Sequence, residues 1–209
     1  MKKRAGKISR NKNIVRTPPV ISSIAGFTLV EVVVVTVVIS IMAAIAIPTY
    51  LKWLPNMRLK TAAQDLRANM QKTRFEAIQQ NQSFAIVFDT VNNSYFICSD
   101  SGDGDWATLG NNAKEERFEL ANYKSGVQFG YGEATMKATN SGGAFPGGSD
   151  FISYGTVGNS IKPLVFNSRG TGSAGFVYLE HEDNTTSYAL GTLVSGVIRV
   201  KKWVGTGWN

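Results

Sequence analysis

Residues Phe27 to Ile47 read FTLVEVVVVTVVISIMAAIAI, 21 residues in which Glu31 is the only ionisable side chain. As a helix this stretch would be about 31 Å long at ~1.5 Å per residue, enough to cross the hydrocarbon core of a bilayer. Its many β-branched residues are compatible with a buried strand, but strands usually run about 3–10 residues, so the uninterrupted length selects a spanning helix. A cleaved secretory signal is the competing reading. It fits less well, because the run exceeds the roughly 7–15 residues of a signal's apolar region. Moreover, Pro-Thr-Tyr-Leu-Lys-Trp follows Ile47 where a small-residue cleavage site would be needed.

The charge pattern orients the helix. Seven of the 22 Lys and Arg (Lys2, Lys3, Arg4, Lys7, Arg10, Lys12 and Arg16) precede Gly26, and all 15 Asp and Glu follow it. The net charge of +7 therefore belongs to the N-terminal tail, and the remainder of the chain is neutral. Such a tail is expected to stay cytoplasmic, with the C-terminal bulk outside, although Lys52, Arg58, Lys60 and Arg67 soften the contrast. A neutral body is a poor nucleic-acid ligand, so no nucleic-acid partner is expected. The single cysteine, Cys98, rules out an internal disulfide or a Cys-x-x-Cys pair and reads as a small buried hydrophobe.

Glu31 needs a reason, since a carboxylate inside an apolar span costs on the order of 2.5–3.5 kcal/mol on insertion scales. Snorkelling to the interface is one. If the chain were cut before Phe27, however, Glu31 would lie in the first turns of a helix that begins with a free amine. There its carboxylate could pair with an α-ammonium group and complement the positive helix end.

The hexamer Gly26-Phe27-Thr28-Leu29-Val30-Glu31, preceded by a basic leader and followed by a long apolar run, resembles the cleavage site of type IV prepilins. The resemblance implies that a membrane prepilin peptidase cuts after Gly26 and that the new Phe27 amine is methylated. It also implies that Glu31 aligns the subunit in a filament through a neighbour's amine. Pro48 is the twenty-second residue after Gly26, where such helices often carry a proline, and it would permit a kink. The partners implied are the peptidase, other pilins or pseudopilins, and an inner-membrane assembly platform.

Beyond Pro55, Leu59, Ala62, Ala63, Leu66, Met70, Ala77 and Ile78 fall on one helical stripe, with Arg58, Lys60, Arg67, Lys72 and Arg74 on the other face. A helix to about Gln80, with its stripe covered by a sheet, follows. From Ser83 the period becomes two: Phe84, Ile86 and Phe88 alternate with Ala85, Val87 and Asp89, and Tyr95 to Cys98 follows the turn signal Asn92-Asn93. Further strands are expected at Val127–Tyr131, Leu164–Asn167, Gly175–Glu180, Ser187–Val194 and Val197–Val204. Nineteen of the 21 glycines lie beyond residue 100, as suits short strands joined by many turns. The fold expected is α+β: a basic leader over 1–26, a long helix over 27–80 that is transmembrane to 47 and then amphipathic, and an antiparallel β-rich domain over 81–209.

Within the filament subunits this body resembles the GspH/FimT type of minor pseudopilin. The matching residues are Leu66-Arg67-Ala68 and Arg74-Phe75-Glu76-Ala77-Ile78 in the helix, Val165-Phe166-Asn167-Ser168-Arg169-Gly170, and Ser195-Gly196-Val197-Ile198-Arg199-Val200. The resemblance implies a structural subunit of a type II secretion pseudopilus, with a type IV pilus minor pilin active in pilus biogenesis or DNA uptake as the alternative.

No catalytic motif or cofactor site is apparent, so an anchored enzyme is the weaker class of function. His181, the only histidine, sits in Glu180-His181-Glu182-Asp183-Asn184 and reads as part of a solvated turn. Asp100, Asp103 and Asp105 could ligate calcium, but their spacing is not that of an EF-hand and an acidic loop is preferred. Glu115 and Glu116 read as surface charge. Arg199, Lys201 and Lys202, flanked by Trp203 and Trp208, could bind phosphates and stack bases. Strand alternation puts Arg199 and Lys201 on one face, and an edge strand guarded by lysine is the preferred explanation.

Overall fold

The computed structural model describes residues 26–100, 106, 113–123, 126–139, 142–145, 151–155, 163–183 and 186–209. Two compact units share the first helix, one ending at Ile45 and the other running from Ala46 to Asn209. The helix, α1, is continuous from Leu29 to Gln79 and contains both Pro48 and Pro55. Each proline removes one backbone hydrogen bond without ending the helix. What ends it is Asn81, which takes a left-handed φ of 50°. The Asn81 N–H then donates to Ile78 O (3.3 Å) and the Gln82 N–H to Ala77 O (3.2 Å), which closes the last turn.

After α1 come eight strands: β1 (Phe84–Asp89), β2 (Ser94–Ser99), β3 (Ala113–Glu119), β4 (Val127–Phe129), β5 (Leu164–Phe166), β6 (Gly175–His181), β7 (Ser187–Thr192) and β8 (Ile198–Lys202). They form two four-stranded antiparallel sheets, ordered β3-β2-β1-β5 and β4-β6-β7-β8. The α+β class expected from the sequence is therefore the class observed. The β1–β2 hairpin turns where Asn92-Asn93 signalled it. Asn93 has φ 47°, and the Asp89 carboxylate accepts the N–H groups of Val91 (3.1 Å) and Asn92 (3.0 Å).

The main core lies between the second half of α1 and the inner faces of both sheets. Leu59, Ala62, Ala63, Leu66, Met70 and Ala77 pack with Phe84, Ile86 and Phe88 of β1 and with Val177 and Leu179 of β6. Each large aliphatic side chain removed from water there contributes about 1.5–3 kcal/mol. Ile78, expected on the buried stripe, is instead 48% exposed. Thr73 is fully buried, and its hydroxyl donates to Asn69 O (2.7 Å). That internal bond lets a polar residue occupy a core position. The outer sheet faces are covered too, by Trp106 over Ala85, Val87 and Cys98, and by Phe145 and Trp208 around Phe176 and Tyr178.

Buried phenols give the body an alkaline limit. Tyr95 is 1% exposed, and burial pushes its phenol up to about 12, although Asn69 Nδ2 donates to its oxygen (2.7 Å) and partly offsets this. Burial raises the equally enclosed Tyr154 as well. A folded-state pKa above the unfolded value of ~10 stabilises the protein fully below pH ~10, and that contribution is lost as pH rises through the folded value. Denaturant midpoints measured from pH 9 to 11.5 should fall above pH 10, each phenol contributing about 1.4 kcal/mol per pH unit. Tyr95→Phe should make that fall shallower, and an unchanged slope would show that Tyr95 ionises freely.

Candidate functional site

The N-terminal end of α1 is built around Thr28 and Glu31. Thr28 Oγ1 accepts the Glu31 N–H (3.2 Å) and Thr28 O accepts the Val32 N–H (3.2 Å), so Thr28 caps the helix. In a reciprocal capping box the glutamate carboxylate would turn back to the Thr28 N–H. Here, among the described residues, the Glu31 carboxylate has no partner. Thr28-x-x-Glu31 is a sequence-level capping signal, which an account of Glu31 by charge alone does not use.

Around this carboxylate every large apolar side chain is exposed: Phe27 by 81%, Leu29 by 80%, and Val32 to Val35 by half or more. This part of α1 is long and apolar enough to cross a membrane, and none of its apolar window is buried. A helix that is apolar all round must be covered by lipid or by other helices.

In the body, the structure brings together the three sequence pieces that carried the family resemblance. Arg74 Nε donates to Gly170 O at 2.8 Å. Gly196, at φ +76°, lies so close that a Cβ there would sit 1.9 Å from Gly170 O and 2.9 Å from Arg74 Nε. Gly170 is itself at φ +75°, over the Ile78 side chain. Helix α1, the β5–β6 connection and the β7–β8 turn thus meet at one point, and two glycines are required there by backbone conformation and by space.

The other candidates resolve differently. His181 does not lie in a solvated turn: it ends β6, is 5% exposed, and its Nδ1 accepts the Asp183 N–H (3.2 Å) beside the Asp183 carboxylate (3.3 Å). Alternation explains this, since Val177, Leu179 and His181 share the inward face of the strand. Gly126 makes the room, because a Cβ there would lie 2.6 Å from Nε2. Asp103 and Asp105 lie outside the described residues, as does the Glu115 side chain. Asp100 follows β2 and donates its N–H to Ser83 O (3.1 Å). Among the described residues no three His, Cys, Asp or Glu side chains stand close enough to hold a metal. Glu116 is surface charge, paired with Lys72 at 2.6 Å, which raises the Lys72 pKa.

Arg199, Lys201 and Lys202 lie on β8, an edge of the second sheet. Lys201 Nζ donates to Ala138 O (2.8 Å) and sits over the Phe176 ring. Trp203 is 4% exposed, and Trp208 packs on Trp203 and Tyr178 while its Nε1 donates to Met136 O. The indoles are therefore engaged within the body rather than offered to bases. A groove of about 440 Å³ beside Arg199 is lined also by Lys137, Ser153 and Phe176.

An exposed apolar helix bearing one carboxylate at its start, followed in the chain by a two-sheet body, is the architecture a membrane-anchored subunit would need. Residues 62–196 match the family described as type II transport protein GspH, and residues 21–47 match the prokaryotic N-terminal methylation motif. The chain belongs to the GspH family, minor pseudopilins and pilins of type IV filaments. Among solved structures it is similar to the minor pseudopilin EpsH of the Vibrio cholerae type 2 secretion system. Two structures of EpsH align, one at 15% identity over 68% of this chain and 95% of that one (TM-score 0.46) and one at 17% over 73% and 95% (0.45). The type IV minor pilin FimU of Pseudomonas aeruginosa aligns at 15% identity over 69% and 89% (0.43). No curated protein matches the chain.

Proposed function

We propose that the chain is a minor pseudopilin of a type II protein secretion system. In this reading it is cut between Gly26 and Phe27, anchored in the inner membrane by residues 27–47 with the basic tail cytoplasmic, and drawn into a short filament outside that membrane. The observation that carries the reading is the Glu31 carboxylate at the capped start of an exposed apolar helix, without a partner among the described residues. Cleavage before Phe27 would place an amine at the same helix end in every neighbouring subunit, which is the one counter-charge such a carboxylate can find in a dry environment. Pro48 would let α1 bend as it leaves the bilayer. The secretion machine is preferred because the matching family carries the type II transport description. Engagement of Lys201 and both tryptophans within the body argues against the DNA-uptake alternative.

Processing is the direct test. N-terminal sequencing of the chain from membranes of cells with a prepilin peptidase should begin at Phe27, and peptidase-deficient cells should retain the leader. An uncut chain in both, or a cut after Ile47, would refute the reading.

A further inference from the structure

On one flank of the body, α1 and the β7–β8 edge enclose a crevice of about 130 Å³ lined by Lys60, Ala63, Gln64, Arg67, Tyr188 and Val200. Lys60, Gln64 and Arg67 are one and two helical turns apart and so project along the same face. Lys202 lies directly across from Tyr188 in the β7–β8 register and adds a third cation. Among the described residues none of the three cations has an ion-pair partner. The nearby helix carboxylate, Asp65, is turned to the other flank, where it accepts the Tyr123 hydroxyl (2.7 Å). The crevice lining therefore presents two cations, an amide and a phenol around an apolar floor of Ala63 and Val200, with Lys202 beside it. Such a site suits one carboxylate on a short methylene stem.

We propose that this crevice receives a carboxylate side chain from an adjacent pilin-type subunit, held between Lys60 and Arg67. The inference rests on the filament reading and names a contact within it. A filament requires heterologous interfaces, in which a patch on one subunit meets a different patch on the next, and a basic crevice with no ion-pair partner among the described residues is complementary to an acidic surface. A lipid headgroup is the other anionic occupant at hand. Lys60 is thirteen residues beyond Ile47 on the unbroken α1. At ~1.5 Å per residue that is about 20 Å, past a headgroup layer of about 5–8 Å.

The test uses the full chain in its own membrane. Lys60→Glu with Arg67→Glu should lower its recovery in isolated filaments at least tenfold, with cleavage and protease resistance unchanged, because both side chains are solvent-facing and have no ion-pair partner among the described residues. Lys60→Arg with Arg67→Lys should retain recovery. Suppressors of the reversal should map to an Asp or Glu changed to Lys or Arg in another pilin-type subunit. Normal recovery of the reversed variant would overturn the contact. So would a photoreactive residue at Gln64 that labels phospholipid instead of a pilin-type subunit. If Glu31→Ala is excluded from filaments while the reversed variant is not, only the contact fails. If both enter normally, the filament reading fails with it.

Discussion

Glu31→Ala should leave cleavage after Gly26 and membrane residence intact and remove the chain from filaments. Among the described residues the carboxylate makes no bond, so the described body loses nothing by its removal, and insertion should become easier by at most the ~2.5–3.5 kcal/mol that insertion scales assign to a charge at the helix centre. The loss comes on assembly. Leaving a neighbour's buried ammonium without its counter-charge costs about 2–5 kcal/mol, which corresponds to about a 30-fold or greater fall in incorporation. Glu31→Gln keeps the shape and loses the charge, and it should fail nearly as badly. Thr28→Ala removes only the helix cap, worth about 0.5–2 kcal/mol, and should have a smaller effect. Crosslinking of each variant to the neighbouring subunit measures these differences, and equal incorporation of Glu31→Ala and the unaltered chain would refute the pairing.

Gly196→Ala should destabilise the body by about 3 kcal/mol or more, a large share of the ~5–15 kcal/mol that holds a domain folded. A side chain there meets the Gly170 carbonyl, a backbone atom that cannot rotate away, and it does so in a left-handed conformation unfavourable to alanine. Gly205 supplies the control. It shares the left-handed backbone at φ +65°, yet a Cβ would find open space, so Gly205→Ala should cost only about 1 kcal/mol. Thermal unfolding of the detergent-solubilised chain separates the two, and equal midpoints would show that the Gly170–Gly196 approach relaxes at little cost.

Where one physical rule dominates, the sequence is easily read. The apolar run from Phe27 needs only a length argument, and the change of period at Ser83 marks where helix gives way to sheet. Strand β3 escapes the sequence pattern because Ala113–Glu119 is almost wholly charged or small, as an edge strand can be. Its anchor is Phe118, whose ring stacks on Tyr95 at 5.1 Å. His181 misleads because its neighbours in sequence are acidic, whereas its neighbours in space are set by the alternation begun at Val177. The Arg74–Gly170–Gly196 meeting point joins positions nearly a hundred residues apart, and no local pattern announces it. Glu31 stands out for the opposite reason, being the one ionisable group where none is cheap.

Cys98 has a practical consequence. It is the only thiol in the chain, and its sulfur lies fully buried against Ala85 and Trp106. A maleimide added to intact cells should pass it by, so the unaltered protein serves as its own blank. Any cysteine placed by design, at Gln64 or along the exposed start of α1, would then report by its labelling alone which surfaces close as subunits join.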